Sequence, residues 1–224
     1  AYALLNEYAQ DPANQVPSDV LEMLARSAVA GGRPGDALDW FDRRLVIGDD
    51  EQLAAEFLSA LMLAGKKARA LGAVRSYIIK YPTSKPILEA ASNIFDASAD
   101  SPALLRSLEA LSAVETDPHK KFPAQRRLVE LKLRMGRAEE ADALLSVLLD
   151  RFPDDPMLLS MAWNIRKGTP AAEPILKRLA TIRSAGDPIQ IVRARQLMDI
   201  RDFGGASSVL KSYLAIRRDD PDAI

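Results

Sequence analysis

The chain contains no cysteine, and that absence removes structural disulfides, thiolate metal sites and cysteine nucleophiles together. It is compatible with an oxidising compartment and equally with the cytosol. There is one histidine, His119, in a Pro-His-Lys-Lys-Phe-Pro stretch. A lone histidine without cysteines or placed carboxylates makes no zinc cluster. A Ser-His-Asp site is formally open to it, but a solvated histidine in a loop between units is the plainer reading. Charge of one sign is also lacking: 30 Lys and Arg against 31 Asp and Glu give a formal net charge of −1. A general nucleic-acid binder usually carries a strong basic excess, so that class is disfavoured while local patches stay open. No stretch approaches the roughly 18 apolar residues of a membrane span. No basic-then-apolar signal segment opens the chain. The chain has no initiator Met and begins inside an apparent helix, which reads as a piece of a longer protein, with any signal or anchor to be sought outside it.

What is present is core material: 48% of the 224 residues are hydrophobic, ample for a folded domain. The organisation is repetitive. Leu128, Val129, Leu131 and Leu133 give one apolar helix, Gly136 breaks it, and Ala141, Leu144, Leu145, Val147, Leu148 and Leu149 give a second that Phe152-Pro153 closes. Phe57, Leu58, Leu61 and Leu63, then Gly65, then Ala70, Leu71, Val74, Tyr77 and Ile78, then Tyr81-Pro82, repeat the pattern. Pro82, Pro118, Pro153, Pro188 and Pro221 fall at intervals of 36, 35, 35 and 33 residues.

A period near 34 made of two helices and a short turn resembles the tetratricopeptide repeat (TPR). Gly65, Ala70, Val74 and Pro82 match that family's turn glycine, small residue, large apolar residue and proline, and Gly136, Ala141, Leu145 and Pro153 match best. Gly32, Ala37 and Phe41 match with Asp49 in place of the proline, and Phe203, Ala206 and Leu210 match more loosely. Two units are degenerate. In the third, Arg106 stands where the small residue belongs; in the fifth, Pro170 suits a first helical turn and Pro174 should delay or kink the second helix. The resemblance implies an all-α, TPR-like α-solenoid, a right-handed superhelix of antiparallel helix pairs. We expect a single array over 1–224: pairs at about 18–46, 50–80, 85–115, 122–150, 156–183 and 187–216, a truncated helix at 1–10, and a further unit opening at Asp220-Pro221. Ser18, Asp50 and Ser101 are the expected N-caps, with Pro102 at the first helical position.

In that family the first helices line a concave groove that takes extended peptides, helices or domains. Family register places Asp19, Glu22, Arg26 and Val29 in it, then Gln52, Ala55, Ser59 and Met62, then Arg126, Glu130 and Arg134, and finally Ile191, Arg195 and Met198. From these, Glu22, Arg26, Ser59, Arg126, Glu130, Arg134 and Arg195 are the candidate partner contacts, the arginines because a guanidinium grips a carboxylate bidentately. Ordinary solvated helix faces are the alternative.

Nothing carries chemistry beyond this. Ala64-Gly65-Lys66-Lys67 lacks the first glycine and the hydroxyl of a phosphate loop, and Gly31-Gly32-Arg33-Pro34-Gly35 reads as an inter-helix turn. The acidic pairs at Asp49-Asp50-Glu51, Glu139-Glu140, Asp154-Asp155 and Asp219-Asp220 suit helix starts and lack the alternating ligands of a calcium loop. The basic run His119-Lys120-Lys121 with Arg126 and Arg127 lacks interleaved aromatics. Trp40 and Trp163 read as core. The expected protein is therefore not an enzyme and has no cofactor or metal; it is a scaffold for another protein.

The arginine- and alanine-rich, cysteine-free, irregular repeats also resemble the periplasmic repeat regions of Pel-type bacterial exopolysaccharide export, and of cellulose and alginate export. That resemblance implies a periplasmic scaffold for a polysaccharide-modifying enzyme, with an anionic or cationic polysaccharide as a further partner. A cytosolic TPR adaptor or regulator is the alternative, and an enzyme whose catalytic domain lies outside this stretch is a third.

Overall fold

The computed structural model describes residues 6–9, 16–181 and 189–216. Twelve helices run through them: α1 Ser18–Ala30, α2 Pro34–Ile47, α3 Glu51–Leu63, α4 Lys67–Lys80, α5 Lys85–Ala97, α6 Ser101–Val114, α7 Pro118–Arg134, α8 Ala138–Arg151, α9 Pro156–Arg166, α10 Ala172–Thr181, α11 Ile189–Asp199 and α12 Phe203–Leu214. Residues 6–9 are also helical, and there is no strand among the described residues. The rest of the expected helix at 1–10, the junction of the fifth and sixth pairs at 182–188, the Asp219-Asp220 pair and the unit opening at Asp220-Pro221 lie outside the described residues. Packing divides the chain into two compact units, Ala1–Gln125 and Arg126–Ile224, with the division inside α7.

One turn is used repeatedly. Gly32, Gly65 and Gly136 sit at φ 71°, 71° and 73°, the left-handed region that L side chains avoid. The next residue's N–H then reaches the carbonyl five residues back: Arg33 to Ala28, Lys66 to Leu61 and Arg137 to Lys132, at 2.8, 2.8 and 2.9 Å. This satisfies a carbonyl the helix end leaves free and turns the chain back on itself. The α5–α6 and α11–α12 turns keep the same geometry without glycine. Ala99 and Arg201 take φ 54° and 61°, and Asp100 and Asp202 donate to Phe95 and Leu197 at 2.9 and 2.8 Å.

A non-glycine residue in this conformation costs on the order of 1–2 kcal/mol. The aspartate after it offsets much of that. Asp100 Oδ1 accepts from the Ala103 N–H at 3.2 Å, and Asp202 Oδ1 from Gly205 at 2.9 Å. A cap of this kind contributes ~1 kcal/mol. After the glycine turns, Arg33, Lys66 and Arg137 occupy the same place and cap nothing with their side chains.

The small residues that follow these turns, Ala37, Ala70, Ala141 and Ala206, are all buried, as are Trp40 and Trp163. Phe41 meets Phe57 with ring centroids 6.0 Å apart, joining the first pair to the second. In the first unit α3 packs on α2, α4 and α5; in the second α9 packs on α8, α10 and α11. Tyr81 and Phe152, each before a proline, end α4 and α8 at φ −129° and −125° with ψ 64° in both, outside the helical region that a following proline disfavours.

Four expectations are corrected. Counting from the Ala99 turn, the position of the small residue falls on Leu104, which is 2% exposed; Arg106 faces outward. Asp50 caps α3, accepting from Leu53 at 2.8 Å, but Ser18 and Ser101 are first helical residues, preceded by Pro17, which caps with no side chain, and by the capping Asp100; Pro102 is accordingly second. His119 lies in the first turn of α7, which begins a turn early because Asp117 Oδ1 accepts from the His119 N–H at 2.9 Å. Pro170 precedes α10, and Pro174 stands inside its first turn, where no N–H is needed, so it does not delay the start.

Replacing Ala99 with glycine should raise stability by about 1 kcal/mol, and Gly65→Ala should lower it by about the same, since nothing stands within 4 Å of the Cβ and only the backbone resists. Paired urea melts check both signs.

Candidate functional site

In the first unit three first helices present one face to a common groove of about 600 Å³. Spacing explains the lining. Gln52, Ala55, Glu56 and Ser59 recur every three or four residues on α3, and Lys85, Glu89 and Asn93 every four on α5, so each set forms a stripe. Arg26 and Val29 complete it from α1, and Phe41 of α2 reaches it from behind. Ala30, Ala55, Ala60 and Ala90 keep the floor low and apolar.

The charges in this groove are mostly spent on one another. Arg26 Nε donates to Glu56 Oε2 at 2.8 Å and its Nη2 stands 3.5 Å from Glu22 Oε2. The Glu56 hydrogen bond pushes the Arg26 guanidinium further above its ordinary range. Gln52 Nε2 donates to Glu56 Oε1 at 3.1 Å, and Arg44 Nε to Glu22 Oε1 at 2.8 Å. Lys85 is bound by Glu115, which lifts the ammonium's pKa and lowers the carboxyl's. Ser59 donates to its own helix at Ala55 O, 2.9 Å. Glu89, exposed at the groove wall, makes no hydrogen bond or ion pair among the described residues, so the groove's uncommitted charge is negative.

Of the expected contacts in this unit, Arg26 and Ser59 line the groove with Val29, Gln52 and Ala55, and Glu22 joins it through Arg26. Asp19 and Met62 do not line it. Glu56, Lys85, Glu89 and Asn93 were missed. Glu56 lies beside Ala55 on a stripe legible from spacing alone. The α5 residues belong to the degenerate third unit, whose register rested on Arg106.

In the second unit α7 carries Arg126, Glu130 and Arg134 at four-residue spacing, with Arg126 Nε 3.6 Å from Glu130 Oε1 and Arg134 exposed. Arg195 lines a separate cavity of about 500 Å³ between α9 and α11, with Ser160, Asn164, Met198 and Asp199. Gln196 also lines it; it is 2% exposed, and neither atom of its carboxamide has a hydrogen-bond partner among the described residues. Ile191, expected to face the groove, is buried in the core against Tyr213 with Leu210 and Leu214. Among the described residues no cluster of three or more metal-ligating side chains occurs, and no helix is long and apolar enough to cross a membrane.

The chain matches no protein-family model and no curated protein. Its fold is that of solved TPR proteins. The C-terminal part of a TPR repeat-containing protein from Cytophaga hutchinsonii superposes with a TM-score of 0.74 at 13% identity, covering 99% of this chain and 91% of that one. PilF of Pseudomonas aeruginosa gives 0.63 at 12% identity over 92% and 94%. YrrB, a TPR protein with an unusual peptide-binding site, gives 0.59 at 12% identity over 82% and 95%. The chain is thus an all-α, TPR-like solenoid.

Because its partner Lys85 holds the Glu115 carboxyl below the ordinary value of 4.5, this pair stabilises the fold above that pH and stops doing so as pH falls through the depressed value. Thermal melts taken stepwise into acid should therefore show Glu115→Gln losing less stability than the wild type below pH 4.5, and starting lower above it.

Proposed function

We propose that this chain is a non-catalytic docking scaffold, and that the groove across α1, α3 and α5 holds a segment of a protein partner. The observation that carries the reading is a single groove built from three successive first helices, with alanines for a floor and a polar wall. A segment entering it gains apolar contact along the alanines and Val29. Its specificity comes from charge. Arg26 and Lys85 are already neutralised by Glu56 and Glu115, which leaves Glu89 to select a partner with a Lys or Arg at that point. YrrB's peptide-binding site supports the reading by likeness of fold.

The α7 stripe of Arg126, Glu130 and Arg134, and Arg195 on α11, are proposed as further contacts, for which reversal of Arg126 and Arg134 should weaken partner binding without unfolding the chain. Periplasmic export of an exopolysaccharide, with recruitment of a polysaccharide-modifying enzyme, is a finer proposal that rests on the character of the sequence alone. A partner taken only from cytosolic extract would replace it with the adaptor reading.

The test uses a photo-crosslinking residue at Ser59 in the groove and, as control, at the exposed Ala143 on α8, with the captured partner mapped by mass spectrometry. Cross-links from Ser59, lost when Glu89→Lys weakens binding by about tenfold, are expected. Cross-links from Ala143 alone would overturn the groove.

A further inference from the structure

The groove just described uses first helices. A second cavity, of about 540 Å³, opens on the second helices of the same unit, between α4 and α6, and lies within the range of roughly 300–1,000 Å³ seen for ligand sites. Its two walls carry the same periodicity. Arg75, Ile78 and Ile79 on α4 are continued by Pro82 just past its end; Ala103, Arg106, Ser107 and Ala110 lie on α6. Both sets read i, i+3, i+4, i+7, the spacing with which a helix meets another helix. Leu88 and Phe95 of α5, a further i, i+7 pair, form an apolar floor. Small side chains on α6 keep the space open where a larger stripe would fill it.

Two features show that this face lacks a partner. Ile79, a large apolar side chain at the rim, is 82% exposed. Arg106, also at the rim, makes no ion pair among the described residues, and Arg75 reaches Asp100 only at 3.5 Å. Two guanidinium groups and one carboxylate border an apolar trough, so the uncommitted charge is positive, opposite to that of the groove on the first helices.

We propose that the trough between α4 and α6 is a second docking site, and that its occupant is an acidic amphipathic helix of a protein partner. The occupant lays apolar side chains at i, i+3 or i+4, and i+7 onto Leu88, Phe95 and Ile78, covers Ile79, and sets a carboxylate against Arg106. The site is independent of the α1–α3–α5 groove: it takes the opposite charge from the opposite set of helices, and one partner can occupy each.

The probe is a fluorescein-labelled amphipathic peptide with leucines at helical i, i+3, i+4, i+7 spacing and flanking glutamates, titrated against the full chain by fluorescence polarisation beside a twin carrying lysines. The glutamate peptide should bind about tenfold more tightly than its twin, and Arg106→Glu should reverse that order. Ile79→Asp, at an exposed position that tolerates a charge, should weaken both peptides, while Glu89→Lys in the other groove should change neither. Equal affinity for the two peptides, indifference to Arg106→Glu and Ile79→Asp, or displacement of the peptide by Glu89→Lys would each overturn the site. Binding of decanoate with no binding of either peptide would also overturn it, by assigning the trough to a free carboxylic amphiphile.

Discussion

A single backbone hydrogen bond recurs through this chain: in five of the turns within helix pairs, the N–H after the turn donates to the carbonyl five residues back at 2.8–2.9 Å. That bond forms only if one residue enters the left-handed region, and with it formed the second helix of a pair leaves at a set angle to the first. The small residue five positions after the turn then falls at the closest approach of the two helices, which is why Ala37, Ala70 and Ala141 have no exposed surface at all. Stacking follows, because neither helix of a pair can bury its apolar face alone. Where glycine is missing, as at Ala99 and Arg201, the chain keeps the turn and adds a capping aspartate, so the geometry outlasts the residue that makes it easiest.

The turn also determines where charge can be used. In the first unit the first helices α1, α3 and α5 share one groove, while the second helices α4 and α6 form another surface. In the first unit these surfaces differ in sign. The first-helix groove ties Arg26 and Lys85 to Glu56 and Glu115 and leaves Glu89 unpaired; the trough between α4 and α6 leaves Arg106 unpaired. Ion pairs at such exposed positions contribute little to stability.

Much of this was readable in advance. Alternating helices and glycine breaks, with proline at the ends, follow local rules that act within a few residues, and Gly32, Gly65 and Gly136 do what their positions implied. Arg26, Val29, Gln52, Ala55 and Ser59 were placed in the groove by the register that the TPR resemblance implies, and they line it. The failures cluster where a local choice had two solutions of similar energy. Ser101 and Asp100 both cap well, and the aspartate, one residue earlier, prevailed. Arg106 looked like a faulty small residue because the third turn has no glycine to count from; once Ala99 supplies the turn, Leu104 takes the inward place and Arg106 becomes a surface group.

By itself, then, the sequence determined the helical class, the repeat length, the glycine turns and the absence of thiol chemistry, since each depends on residue type and short-range spacing. Only the tertiary structure decided which charges remain free. Arg26 and Glu56 are 30 residues apart in the chain and Lys85 and Glu115 likewise, and no local rule pairs them. The stacking of one pair on the next brings them together, and in doing so it converts an arginine that looked ready to grip a partner's carboxylate into one already holding its own.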